Sequence, residues 1–198
     1  MTGKKSADEL KAVLDALFDR KGGEIAGAAG AIVGALKAGR KILVFGNGGS
    51  AAEAQHFAAE IVNKFMKYRR ALPAVSLTTD TSILTSIAND ISFDHVFSRQ
   101  VEALGEEGDV AIALSTSGNS LNVIEGLRAA KAAGLTTIVL TGEAGGAIAS
   151  RTIETKSPGT GAALADVLLD VPSKSTPRIQ EAHLLLLHIF AEEIDRLV

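Results

Sequence analysis

A glycine-rich turn, Gly46-Asn-Gly-Gly-Ser50, leaves an apolar run and enters the helical pattern Ala51-Ala-Glu-Ala-Gln-His56. Glycines at a strand-to-helix turn let successive backbone N–H groups converge at the helix N-terminus, where the helix dipole also favours an anion. Ser50 reads as the N-cap, with Glu53 three residues on completing a capping box. A second loop, Ser115-Thr-Ser-Gly-Asn-Ser120, sets hydroxyls at Ser115, Thr116, Ser117 and Ser120 around a glycine. Such neutral donors suit a phosphate. Either loop alone also fits an ordinary turn or cap. Two of them at the C-terminal ends of strands make a stronger signal, because open α/β sheets bind ligands there. Together they predict a small phosphorylated ligand.

Nucleotide readings fit less well. Gly46-x-Gly48-x-x-Ala51 matches a relaxed dinucleotide fingerprint. The acidic residue which that fingerprint wants about 20 positions on, at the end of the second strand, has its first candidate at Asp80, well past that distance. No lysine follows the glycines, so the P-loop reading fails. No nucleotide cofactor is expected.

Acid–base chemistry has few candidates, since the only histidines are 56, 95, 183 and 188. His56 and Glu60, four apart on the helix that leaves the glycine turn, share a face. That spacing suits a metal pair or a base with an orienting partner, although a solvated surface pair has it too. In the stretch Pro177 to Phe190, His188 sits among Leu184, Leu185, Leu187 and Ile189, where the plain reading is a satisfied, partly buried histidine. Gln180 comes eight residues earlier, about 12 Å along a helix axis but less than a quarter-turn around it. The two reach one ion only with side chains angled inward, or else they serve sites shared between subunits. His95 and His183 have no comparable partner and read as structural or surface residues.

The elements that must position these groups follow from five apolar, branched-rich runs: Lys41–Phe45, Ala74–Thr78, Asp109–Leu114, Thr136–Leu140 and Asp166–Val171. Continuous rather than alternating apolar character predicts strands buried on both faces, as in parallel sheets. Their spacing matches strand–helix–strand units, and right-handed crossovers place helices on both faces. The predicted fold is a doubly wound α/β domain with a five-stranded parallel sheet. Residues 6–38 read as two helices separated near Lys21-Gly-Gly23, and the alanine- and glycine-rich second one suits a subunit contact. Residues 1–198 form one domain, with 1–38 as N-terminal packing helices. The stretch 142–165, with Gly145-Gly146 and Ser157-Pro-Gly-Thr-Gly161, is expected to include an exposed loop.

Composition bounds the function. Apolar residues at 46% exclude a disordered chain. A formal charge of -3 with no basic patch makes nucleic acid an unexpected partner. Cysteine is absent, which removes disulfides, thiol catalysis and thiolate zinc sites. No apolar segment follows the charged start, so no signal peptide is expected, and apolar runs such as Leu184–Leu187 are too short to span a bilayer. A soluble cytoplasmic protein without membrane partners is expected.

The motifs Gly46-Asn-Gly-Gly-Ser-Ala-Ala51, Gln55-His-Phe57, Leu84–Asp90, Phe97-Ser-Arg-Gln100, Gly108-Asp109, Ser115-Thr-Ser-Gly-Asn119 and Arg178-Ile-Gln-Glu181, in this order and spacing, are specific. Through them the chain resembles the sugar isomerase (SIS) domain family, and within it the bacterial phosphoheptose isomerases, over nearly its whole length. The resemblance implies conversion of sedoheptulose 7-phosphate to glycero-manno-heptose 7-phosphate, the entry to heptose for lipopolysaccharide and other glycans. It implies a homotetramer with active sites at subunit interfaces. Asn47, Gly48, Gly49, Glu60, Asn89, Asp90 and Gln180 would contact the sugar, and Ser115, Thr116, Ser117 and Ser120 would hold its phosphate. Glu60 and His188 would carry the acid–base work. His56, Glu60, Gln180 and His188 match the positions that bind zinc in several members. The resemblance extends to a non-catalytic relative that binds the replication initiator; that group lacks the glutamate and the second histidine of the terminal helix, which this chain keeps. A domain that senses a sugar phosphate without converting it is a third reading; the Glu60–His188 pair favours catalysis over both alternatives, and a transcription factor is not expected without a DNA-binding domain.

Overall fold

The computed structural model describes residues 2–150, 152–154 and 161–198. In chain order the elements are α1 (Thr2–Lys37), β1 (Ile42–Gly46), α2 (Gly49–Val62), β2 (Ala74–Ser76), α3 (Thr81–Asp90), α4 (Ser98–Leu104) and β3 (Val110–Ser115). There follow α5 (Leu121–Ala132), β4 (Thr136–Thr141), α6 (Gly146–Ser150), β5 (Thr152–Glu154), β6 (Gly161–Ala163), β7 (Val167–Asp170) and α7 (Thr176–Leu197). Five strands make a parallel sheet in the order β2-β1-β3-β4-β7, while β5 and β6 pair as a separate antiparallel ribbon. The predicted doubly wound sheet is therefore present, with the strands close to the apolar runs that announced them.

Strand residues alternate between two cores. Ile42, Val44, Ile112, Leu114, Ile138 and Leu140 pack under α1, α2 and α7. Leu43, Phe45, Ala111, Ala113 and Val139 pack under α4, α5 and α6. Burial on both faces is why these runs lack the polar alternation of a half-exposed strand.

The N-terminal segment differs from expectation: α1 is one helix of 36 residues, unbroken at Gly22 and Gly23. Two interior glycines cost a helix about 2 kcal/mol relative to alanine. Leu17 before them and Ile25, Ile32 and Leu36 after them are buried in one core with α7, and each such side chain returns about 1.5–3 kcal/mol. Lys21 Nζ also reaches Asp170 at 3.0 Å, which pins the glycine region to β7. Tertiary burial thus overrides local propensity.

Two of the motifs are structural. Asp109 accepts from Lys41 Nζ (2.7 Å) and from the backbone N–H groups of Lys41 and Glu106 (both 2.9 Å), tying β1 to the start of β3. The Gln100 side-chain amide donates to the carbonyls of Leu77 and Val96. Residues 142–150, expected as part of a loop, form a 3-10 turn at Glu143–Gly145 and α6; residues 155–160, including the Ser157-Pro-Gly turn, lie outside the described set. Among the described residues no helix is long and apolar enough to cross a membrane.

Candidate active site

The strand order reverses direction between β1 and β3, and in open α/β sheets that switch point opens a crevice beyond the strand ends. Only Asn47 and Gly48 separate β1 from α2. Gly48 has φ +56°, a left-handed conformation that costs residues with a Cβ about 1–2 kcal/mol. Gly48 itself is the N-cap, and no side chain caps the helix. The expected capping box of Ser50 and Glu53 is absent: α2 starts one residue before Ser50, which is buried inside the first turn. On the other side of the crevice, Ser120 precedes α5, whose N-terminus is also without a side-chain cap.

The hydroxyl loop between them is held by the segment expected to be loose. The N–H of Gly142 donates to Thr116 O and that of Ile148 to Gly118 O, while Ala147 N–H donates to Asn119 Oδ1. Gly118 has φ +64°, and a Cβ there would collide with the carbonyl of Gly145. The two loops enclose a cavity of about 70 Å³ lined by Asn47, Ser50, Leu114, Ser115, Thr116, Ser117, Ser120 and Gln180. A water molecule occupies about 30 Å³ of liquid, so the cavity is the size of one tetrahedral anion. Its hydroxyls and two uncapped helix N-termini supply donors without a cation. The side chains of Asn47 and Asn122 close it from behind as a reciprocal pair: Asn47 Nδ2 donates to Asn122 Oδ1 (2.9 Å) and Asn122 Nδ2 to Asn47 Oδ1 (2.8 Å).

Two turns along, α2 meets α7. His56 Nε2 lies 3.0 Å from His188 Nε2 and 3.1 Å from Glu60 Oε1, and His188 Nε2 lies 3.6 Å from the same oxygen. These atoms could hold a metal ion. Tetrahedral zinc with ligands at 2.0–2.1 Å separates its donors by about 3.3 Å, close to the spacing seen. Glu60 Oε2 is buried with no partner among the described residues, a further sign that the carboxylate is arranged for something other than the chain itself. The ring of Phe65 stacks on His188, centroids 5.4 Å apart.

Burial raises the pKa of Glu60 above the ordinary carboxylate range, against the pull of His56 and His188, which favour its charged form. Burial raises Glu53 to about 7, and its Oε2 likewise has no partner among the described residues. His183 is fully buried; its Nε2 donates to Thr141 O, and burial lowers its pKa to about 4, so it is a neutral structural histidine. His95 Nδ1 lies 3.3 Å from Ser98 Oγ, away from the site.

A buried ion pair holds α2 against α7. Arg69 Nε donates to Asp195 Oδ1 (2.9 Å), and its guanidinium also reaches the carbonyls of Glu60 and Ile61 in the last turn of α2. Asp195 further accepts from the N–H groups of Met66 and Lys67. Burial alone would raise the Asp195 pKa; the two N–H donors and the guanidinium outweigh it and hold the carboxyl low. The same guanidinium thus fixes the backbone that carries Glu60 and the helix that carries His188.

The structure brings most of the expected residues to two places. Asn47, Ser115, Thr116, Ser117, Ser120 and Gln180 line the cavity, with Gly48 and Gly49 in its rim. His56, Glu60 and His188 form the second group. Gln180 sits at the first place: a Cβ on Gly49 would collide with its side-chain amide. Asn89 and Asp90 lie exposed at the end of α3, their side chains bonded to each other, and do not line this cavity. Sequence reasoning missed Asn122, Phe65, Arg69 and Asp195. Asn122 had a faint signal, two residues after the Ser120 helix start; the other three had none.

The SIS domain family model matches residues 7–142. The phosphoheptose isomerase of Geobacter sulfurreducens is 52% identical over 184 residues, 93% of this chain and 90% of its own length. That of Aquifex aeolicus is 51% identical over 175 residues, 88% of this chain and 85% of its own. The structure of phosphoheptose isomerase from Neisseria gonorrhoeae matches with a TM-score of 0.85 at 45% identity, covering 99% of this chain and all of the other. The Vibrio vulnificus NanR protein complexed with ManNAc-6P, at 16% identity and a TM-score of 0.65, shares the fold alone. With its glycine turn, hydroxyl loop and His–Glu–His group in place, the chain belongs to the SIS-domain family and, within it, to the phosphoheptose isomerase family of enzymes.

Proposed function

We propose that this enzyme converts sedoheptulose 7-phosphate to D-glycero-D-manno-heptose 7-phosphate, the first step of heptose supply for lipopolysaccharide and related glycans, in the cytoplasm. The observation that carries the reading is Glu60: a partly buried carboxylate beside two imidazoles, on the helix whose first turn rims an anion-sized cavity. The phosphate occupies the cavity against Ser115, Thr116, Ser117 and Ser120, and its binding energy orients the reacting end of the sugar. Glu60 takes the proton from C1. The C–H electrons form the C1–C2 double bond as the C2 carbonyl gains a proton, and return of a proton to C2 with loss of the O1 proton gives the aldose. A raised pKa makes Glu60 a stronger base than a solvated carboxylate. His188, whose imidazole can both accept and donate a proton, moves protons between the oxygens.

His56, Glu60 and His188 would hold zinc, with Gln180 completing the set only by turning its amide from Gly49 toward His188. Bound there, the metal would polarise a carbonyl and stabilise negative charge on oxygen. Glu60 can serve both roles because its oxygens differ: Oε1 faces the imidazoles, and Oε2 has no partner among the described residues. A homotetramer is part of the proposal. Ile91 and Phe93 are exposed just beyond α3, an apolar groove of about 270 Å³ lies between α1 and α7, and Asn89 and Asp90 would serve a neighbouring subunit's site.

The reading is tested by proton NMR of sedoheptulose 7-phosphate with metal-stripped enzyme, zinc-loaded enzyme and Glu60→Gln. An aldoheptose phosphate should appear with zinc and not with the variant. No conversion by any folded tetramer would move the assignment to a protein-binding relative. Light scattering checks the assembly, with four chains expected.

A further inference from the structure

We propose that Asn122 is a positioning residue: it fixes which hydrogen-bonding groups Asn47 turns toward the phosphosugar, and so couples the phosphate-binding helix to the turn that meets the sugar. The inference rests on the reading above in one respect, that Asn47 faces substrate. Asn47 lines the anion-sized cavity, whereas Asn122 is buried behind it, only 3% exposed.

An asparagine amide carries two N–H donors and one oxygen with two lone pairs. The reciprocal pair uses one donor and one lone pair on each residue, so Asn47 keeps one N–H and one lone pair for a ligand. The last torsion of an asparagine is soft and roughly two-fold, so an unpaired Asn47 would present its oxygen or its nitrogen almost equally. Pairing at two points ties the two amides together. If Asn47 turns over alone, nitrogen faces nitrogen and oxygen faces oxygen, and both bonds are lost; only a joint turn keeps them, and that requires the buried Asn122 to rotate as well. An aspartate at 122 would forfeit the bond to Asn47 Oδ1 and add negative charge beside an anion. A hydroxyl could make only one of the two bonds.

The placement gives this pair its reach. Asn122 is the second residue of α5, two positions after the Ser120 that lines the cavity, and Asn47 is in the turn that starts α2. The two are 75 residues apart in the chain. The pair therefore joins the α5 N-terminus directly to the turn that carries Asn47.

A purely structural pair would affect stability alone, so the test is a double-mutant cycle. Asn47→Ala, Asn122→Ala and the double variant are compared for kcat/KM with sedoheptulose 7-phosphate and for inorganic phosphate affinity by calorimetry. Asn122→Ala should lower kcat/KM by about 10- to 50-fold, as expected for one misdirected hydrogen bond to a reacting substrate. The double variant should be no worse than Asn47→Ala alone, because Asn122 acts through Asn47. Phosphate affinity should change less than threefold. Losses that multiply in the double variant, or a lowered Tm with unchanged kcat/KM, overturn the proposal. A readout independent of turnover is the Asn47 side-chain amide in 1H–15N spectra: the N–H bonded to Asn122 should be displaced and slow to exchange with solvent in the wild type, and should move toward free-asparagine shifts with faster solvent exchange in Asn122→Ala, the two protons staying distinct because the amide C–N bond turns slowly. An inactive wild type would refute the isomerase reading, and this spectrum would still decide Asn122, since an unchanged Asn47 signal overturns its role. If Asn122→Ala does not fold, Asn122→Ser replaces it, with the same direction of change expected at smaller size.

Discussion

The two ends of α2 are built from opposite materials. At its first turn the helix rims a cavity of hydroxyls, amides and uncapped N-termini, with no charged side chain in its lining. Two turns later it carries His56 and Glu60 against His188, and the Arg69–Asp195 pair clamps its end. Neutral donors can hold a dianion and still release it, because no buried cation has to be left unpaired when it goes. The reacting end needs the reverse, a carboxylate whose basicity is raised by burial, and buried charge demands charged support. The division separates binding from chemistry along one helix.

Four substitutions sharpen or break that division. The largest effect belongs to the charged end. Glu60→Gln should lower kcat by about 10²–10⁴-fold, the usual range for a general base, while inorganic phosphate binds as before in calorimetry. Loss of phosphate affinity alongside activity would erase the distinction between the ends. Next, Arg69→Ala leaves the Asp195 charge with only its two N–H donors, which costs about 3 kcal/mol, the low end for breaking a buried pair. Thermal unfolding should show Tm falling by about 10 °C, and zinc affinity, read by competition with a chromophoric chelator, should weaken as Glu60 and His188 lose their common anchor. An unchanged zinc affinity would reduce the clamp to ordinary stability.

At the neutral end, Ser117→Ala removes a single neutral donor, worth about 1 kcal/mol. KM should rise roughly fivefold with kcat nearly constant, and a fall in kcat instead would bring the hydroxyl loop into the chemistry. The smallest effect concerns Glu53, between the two ends. Its pKa is raised by burial from 4.5 to about 7, so the folded state binds more protons than the unfolded state between those values, and stability falls as pH rises through that window. In metal-free protein Glu53→Gln should therefore raise Tm by a few degrees at pH 8.5, on the order of 2–4 °C, and the gain should vanish near pH 4.5. A gain of equal size at both pH values would assign the effect to packing rather than ionisation.

Much of this division was legible beforehand. Apolar runs of strand length gave the sheet, since burial on both faces leaves a pattern that needs no partner to be read. The glycine turn and hydroxyl loop announced the neutral end, and the four-residue spacing of His56 and Glu60 announced half of the charged one. Expectation failed where a local rule met a tertiary force. Two glycines predict a break in α1, but Leu17, Ile25 and Ile32 bury it as one helix. Ser50 has the right type for a cap, but Gly48 takes that position. The stretch after β4 has the composition of a loose loop, yet its N–H groups brace the hydroxyl loop.

By itself, then, the sequence determined the doubly wound sheet, the phosphate-type loops and the shared face of His56 and Glu60, because each depends on residues within a few positions of one another. No spacing placed His188 on that face from 132 residues away; the resemblance implied it and the tertiary structure brings it there, and only the tertiary structure decided that Asn122 pairs with Asn47 across 75 residues and that Arg69 finds Asp195 across 126. Which helix lies beside which is set by how the sheet's two faces are covered. No spacing rule along a single helix carries that information, because the partners meet only after the layers have packed.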